Sequence, residues 1–163
     1  MPDLNGGHLV ARTLKQAGVG HIFTLCGGHI LPIYDGCVKD GIGVIDVRHE
    51  QAAAHAADAY ARLTRNVGVA IVTAGPGVTD AVTGVANAHA ARSPLLLIGG
   101  AAPLGLRGLG ALQEVEQVAL LRPITKGAWV AYVAGGEGTI ARVREVLMAK
   151  GLERKAVKWE RFW

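Results

Sequence analysis

The sequence predicts an open parallel α/β sheet with helices on both faces, and three observations carry that prediction. Strand-length apolar runs alternate with stretches of helical spacing, and the connections between them are short. One run, from Val67 to Thr73, is almost continuously apolar, which suits a strand covered on both faces as in a parallel sheet. With 163 residues, 50% of them hydrophobic, and 23 glycines, the chain can bury a sizeable core within one domain and turn often between elements.

The elements follow in order. Leu9, Val10, Thr13, Leu14 and Ala17 hold helical spacing that stops at Gly18, and His21 to Leu25 reads as a strand. A glycine corner, Cys26-Gly27-Gly28-His29, leads into a helix from Ile30 to about Lys39; Asp40-Gly41 then turns the chain into a strand that ends at Val47. An alanine-rich helix is predicted from Glu50 to about Thr64, thin enough to pack closely against another. After the Val67–Thr73 strand, Ala74-Gly75-Pro76-Gly77 breaks the pattern. A fourth helix runs from about Val78 to Arg92, Ser93-Pro94 stops it, and Leu95 to Gly99 forms the next buried strand. Residues 101–110 read as a loop, Leu112 to Leu121 as a short helical piece and Trp129 to Val133 as a strand. A final helix is placed after Gly138-Thr139, and a charged tail begins at Lys150. The expected division is a domain over 1–150 and a divergent tail over 151–163.

Composition excludes several classes. Lys and Arg total 17 against 13 Asp and Glu, a net charge of +4 concentrated in the last fourteen residues, and aromatics are not interleaved with basic residues before that tail. No stacking platform for nucleic acid is therefore expected. Cys26 and Cys37 fit neither a zinc knuckle nor a CxxC redox pair, so a reducing cytoplasm is the expected setting. No apolar run approaches a membrane span, and the N-terminus lacks the basic-then-apolar pattern of a leader, so no membrane partner is expected.

In an open parallel sheet, ligands gather beyond the carboxyl ends of the strands. Gly27-Gly28-His29, Glu50 and the stretch Thr73 to Gly77 all fall at such ends. Taken alone, Glu50 reads as a first-turn carboxylate complementing the helix dipole. The stretch from Thr73 to Gly77 alone reads equally as a tight strand-to-helix turn or as a close-approach loop for a planar ring.

The ordered set of motifs resembles a known family. Gly27-Gly28-His29, Arg48-His49-Glu50-Gln51, Ala57 through Tyr60-Ala61-Arg62, Thr73-Ala74-Gly75-Pro76-Gly77-Val78-Thr79-Asp80, Gly84, Pro94, Gln113 and Ile124-Thr125-Lys126 carry it over roughly residues 4–130. Together they resemble the pyrimidine-binding domain of thiamine-diphosphate enzymes, in the acetolactate-synthase-like group that includes benzaldehyde lyase and 2-hydroxyacyl-CoA lyase. The resemblance implies the thiamine-diphosphate-binding fold and thiamine diphosphate as cofactor. It also implies that Glu50 hydrogen-bonds the ring nitrogen of the aminopyrimidine, favouring the imino tautomer that activates the thiazolium carbon for carbon–carbon cleavage or ligation. That chemistry asks for a carboxylate sheltered from water. Thr73, Gly75, Pro76 and Asp80 are implied cofactor contacts, although the family commonly has Asn where this chain has Asp80. His29 and Gln113 resemble the polar pair that benzaldehyde lyase presents to substrate. His49 is a weaker candidate, and His8, His21, His55 and His89 are read as structural.

The family holds the cofactor's diphosphate through Mg²⁺ on another domain, with a Gly-Asp-Gly motif and a later Asn-Asn pair, and neither occurs here. No metal ligand is thus expected on this chain, and a diphosphate-binding domain or chain is the expected partner, in a homo- or hetero-oligomer. Two readings follow: half of a thiamine-diphosphate lyase or carboligase, inactive alone, or a truncated, non-catalytic interaction or relic domain. A flavodoxin-like nucleotide binder explains the sheet but not the ordered motifs.

Overall fold

The computed structural model describes residues 5–129. The expected strand after Trp129, the final helix, the 150/151 boundary and the tail lie outside the described residues. Helices α1 (Gly6–Gln16), α2 (Leu31–Lys39), α3 (Glu50–Thr64), α4 (Pro76–Ala90) and α5 (Gln117–Leu121) alternate with strands β1 (His21–Thr24), β2 (Gly43–Asp46), β3 (Gly68–Val72) and β4 (Leu95–Gly99) until α5 follows a long loop. The four strands pair in the order β2-β1-β3-β4, all parallel. The predicted open parallel sheet is the observed fold.

Side-chain alternation explains the layers. Ile22, Val69 and Ile71 point to one face, where they meet Ala11 and Leu14 of α1 and Ile33 and Cys37 of α2. Phe23, Ala70 and Val72 point to the other, against alanines of α3 and, for Val72, Val78 and Ala81 of α4. Every residue of β3 is buried, as its apolar run requires. Strand β4, expected to be buried, is exposed at Leu96 because it is the outer strand among the described residues. The small residues of α3 and α4 let the two helices approach closely: a Cβ added at Gly84 would lie 2.5 Å from that of Ala54.

Polar groups lock the frame. Asn5 caps α1, its side chain accepting from the His8 N–H. The His8 Nδ1 accepts in turn from the Asn5 N–H, so its Nε2–H donates to Asp35 at 2.5 Å, where Lys39 also donates at 2.8 Å. Lys39 first and His8 second hold the Asp35 carboxyl below its ordinary range. Within α3, Asp58 is bound by both nitrogens of an Arg62 fork at 2.8 and 2.7 Å, and by Asn87 of α4 at 2.8 Å. Among the described residues no helix is long and apolar enough to cross a membrane.

Two expectations are corrected. The stretch predicted as helix from Leu112 is helical only from Gln117. Gln113 adopts a left-handed conformation at φ 60°, and the Glu114 side chain accepts the N–H groups of Gly108, Gly110 and Ala111, which folds this stretch into a loop. The start of α2 is also sharper than expected, with Gly28–Ile30 forming a separate 3₁₀ turn.

Candidate functional site

The strand order itself locates the site. From β1 the chain steps outward to β2, then returns across β1 to β3, so the direction of winding reverses between β1 and β3. Crevices form at the carboxyl ends of strands where such a reversal occurs. The loops leaving β1 and β3 are those that carry Gly27-Gly28-His29 and Thr73 to Gly77. Beneath them the Thr24 hydroxyl donates to the Ile71 carbonyl at 2.5 Å and receives the Tyr34 hydroxyl at 2.5 Å, pinning β1 to β3 and α2. Burial pushes the Tyr34 phenol up to about 12.

At the rim, His29 Nδ1 lies 3.2 Å from the Thr73 hydroxyl. Thr73 also packs against Gly27, where an added Cβ would meet its Cβ at 2.3 Å. Gly75 sits at φ 59°, and a Cβ there would fall 2.2 Å from the Gln113 carbonyl oxygen, so only glycine fits both the conformation and the space. A Cβ at Gly77 would lie 3.3 Å from Glu50 Oε1 and 2.9 Å from Thr73 Cγ2. Pro76 is the first residue of α4, a position that needs no N–H.

Glu50 opens α3, behind an N-cap made by His49, whose Nδ1 accepts from the Gln51 N–H at 3.2 Å. It is 8% exposed, and no described residue gives its carboxylate a hydrogen bond or an ion pair. The neighbouring Arg48 is spent on Asp46. Asp80, one turn into α4 and exposed, brings a second unpaired carboxylate to the same place: ligand atoms of His49, Glu50 and Asp80 all lie within 4.8 Å of one another. A buried carboxylate is ordinarily paired, because leaving water unpaired is expensive. This one has its Oε1 near Gly77, at the start of α4.

The structure thus brings Glu50, Thr73, Gly75, Pro76, Asp80 and His29 onto one rim. Gln113 joins it through its backbone at Gly75, and among the described residues no hydrogen bond links it to His29. Two residues escaped sequence reasoning. Gln117 accepts the Gly75 N–H at 3.1 Å and donates to the Gly100 carbonyl at 2.6 Å, bracing the turn. Glu114 organises the loop beside it, and the N–H of Gly108, then those of Ala111 and Gly110, hold its carboxyl below the usual range. No local pattern marks Gln117, since its partners are far away in sequence. Glu114 follows a glycine-rich stretch whose free N–H groups were the available signal.

An open parallel sheet with its switch-point crevice framed by glycines, and with an unpaired buried glutamate on the rim, defines a doubly wound α/β domain. Residues 4–120 match the family described as "Thiamine pyrophosphate enzyme, N-terminal TPP binding domain". The chain belongs to that family. It is 53% identical over 145 residues to a Caenorhabditis elegans 2-hydroxyacyl-CoA lyase 2, covering 89% of this chain and 22% of that protein. It is 57% identical over 122 residues to the Danio rerio 2-hydroxyacyl-CoA lyase 2, covering 75% and 20%. With a Mycobacterium tuberculosis acetolactate synthase large subunit it shares 44% over 137 residues, covering 84% and 25%. The chain therefore spans about a fifth to a quarter of the length of the relatives it matches. The Glu50 acceptor and the side-chain-free turn at Gly75 and Gly77 fit the pyrimidine end of thiamine diphosphate.

Proposed function

We propose that this chain is the pyrimidine-binding half of a thiamine-diphosphate-dependent lyase or carboligase and works only with a domain or chain that holds the cofactor's diphosphate through Mg²⁺. The cofactor, when bound, supplies the electron sink for breaking or forming a carbon–carbon bond in 2-oxo acids, aldehydes or 2-hydroxy ketones. Glu50 holds the ring nitrogen of the pyrimidine at the start of α3. Thr73, Gly75 and Pro76 form the wall against which the ring lies. His29, anchored by Thr73, relays protons at the substrate side, and the Gln113 amide holds a substrate oxygen. Asp80 borders the ring from α4. The single observation that supports this reading is the buried Glu50 carboxylate, which has no partner among the described residues.

The test is calorimetry with thiamine diphosphate and Mg²⁺, using the chain alone and with a chain carrying Gly-Asp-Gly and Asn-Asn. Heat of binding with the partner, abolished by Glu50→Gln, is expected; no heat in either case would sink the proposal. A second reading, a catalytically inactive interaction domain, draws support from the short span relative to the matched relatives. It predicts association with the partner chain but no cofactor-dependent heat.

A further inference from the structure

The turn after β3 is held at both ends. At one end the Gly100 N–H donates to the Val72 carbonyl at 2.9 Å, tying the exit of β4 to the last residue of β3. At the other the Gly75 carbonyl accepts from Val78 and Thr79, at 2.9 Å each, and so starts α4. Thr73 and Ala74 are strung between these points. Gly75 has φ 59° and ψ −108°, a conformation open to glycine, and it brings no side chain to cap the helix. Local sequence therefore leaves this turn free to shift.

The missing restraint comes from 42 residues away. Gln117 Oε1 accepts the Gly75 N–H at 3.1 Å while its Nε2 donates to the Gly100 carbonyl at 2.6 Å. Only this orientation of the amide satisfies both partners, since an N–H can only donate and a carbonyl only accept. Gln117 thus closes a ring that runs from Gly75 to Gln117, to Gly100, to Val72 and back along Thr73 and Ala74. Gly100 is also where the neighbouring loops converge. A Cβ there would lie 2.6 Å from the Cβ of His29 and 3.1 Å from the Ala74 nitrogen. His29 in turn meets the Thr73 hydroxyl at 3.2 Å.

We infer that Gln117 is a positioning residue for the cofactor ring, its amide holding the 73–75 wall in a fixed relation to His29. This role rests on the proposed function, which sets the pyrimidine against that wall. Gln117 acts through the turn and not on the ring itself. Its loss takes the acceptor from the Gly75 N–H and releases one end of the 73–75 segment, while the sheet and helices keep their own bonds. A glycine turn with fewer anchors samples more positions, and binding must then order it, so the cost falls on cofactor affinity.

The experiment combines amide exchange in the chain alone with calorimetry, using thiamine diphosphate and Mg²⁺ on the chain assembled with one carrying Gly-Asp-Gly and Asn-Asn. Gln117→Met, close in volume but unable to bridge, is expected to speed Gly75 exchange about fivefold or more, the scale of one lost hydrogen bond. Exchange within β3 stays as it was. Cofactor affinity falls by a similar factor, and affinity for the partner chain does not. Gln117→Glu adds a readout that a purely structural role would not move. Its carboxylate still accepts from Gly75 but opposes the Gly100 carbonyl, whereas the protonated carboxyl accepts and donates as the amide does. Gly75 protection in that variant therefore climbs toward the wild type, compared at each pH, as pH falls. Equal Gly75 exchange in Gln117→Met and the wild type, an equal speeding throughout β3 and α4, or a pH-independent Gln117→Glu would overturn the inference. So would unchanged cofactor affinity in Gln117→Met beside a wild type that binds. A wild type that binds no thiamine diphosphate takes down the proposed function, and this role with it.

Discussion

Helix α3 carries two buried carboxylates two turns apart, and they have opposite fates. Asp58, 4% exposed, receives both nitrogens of Arg62 and the amide of Asn87. Glu50, 8% exposed, receives nothing from the described residues. The same helix thus holds one acid whose burial is compensated within the fold and one whose burial is left open. The first ties α3 to α4, and the second has no hydrogen-bond or ion-pair partner among the described residues.

The comparison breaks most visibly in activity. In an assembly reconstituted with a diphosphate-binding chain, Glu50→Gln is expected to lower turnover by about 100-fold or more, the scale of losing a positioned proton partner. The same variant is expected to leave stability by urea denaturation within about 0.5 kcal/mol of the wild type, since no hydrogen bond or ion pair to a described residue is lost. Wild-type turnover, or a stability loss as large as that of an Asp58 variant, would erase the distinction between the two acids.

Asp58→Ala should do the reverse. Removing a carboxylate that accepts three charge-assisted or amide hydrogen bonds is expected to cost about 2–3 kcal/mol, read as a lower urea midpoint at constant slope. The pH dependence follows in sign. Arg62 above all, with Asn87, holds the Asp58 carboxyl below its ordinary 3.8, so its contribution is fully present above that value and is lost as pH falls through the folded-state pKa. Stability measured from pH 5 to pH 2.5 should fall less steeply in Asp58→Asn than in the wild type. Asp35 and Glu114, whose carboxyls are also held low, keep the variant's slope from vanishing.

The helix that carries this contrast was legible in the sequence because its signals are local, although nothing there marked the pairing of Asp58. The bounds of α3, from Glu50 to Thr64, follow from an apolar strand and an alanine-rich period within twenty residues, and the structure adds the His49 N-cap. The rim at the carboxyl ends of the strands follows from element alternation alone, and Glu50, Thr73 and His29 lie on it in the structure. What stayed hidden depends on contacts far apart in the chain. Gln117 braces Gly75 from 42 residues away, and Asp80 meets Glu50 only because α3 and α4 pack through facing alanines and Gly84. The non-helical stretch before Gln117 was misread because its apolar spacing is helical, while the left-handed Gln113 and the N–H groups gathered by Glu114 override that preference.

The finest test asks whether the compensation at Asp58 is shared or merely summed. Asn87→Ala removes one amide donor from a partly buried bond and is expected to cost about 1 kcal/mol by urea denaturation. Arg62 lies on the same helix, half-exposed, and its guanidinium fixes the carboxylate orientation that Asn87 meets from α4. If the three groups act as one network, a double-mutant cycle of Asn87→Ala with Arg62→Ala will show a coupling of about 0.5 kcal/mol or more. Additive costs would mean that Asp58 merely collects independent bonds, and the pairing of α3 with α4 would then rest on small-residue packing rather than on the acid.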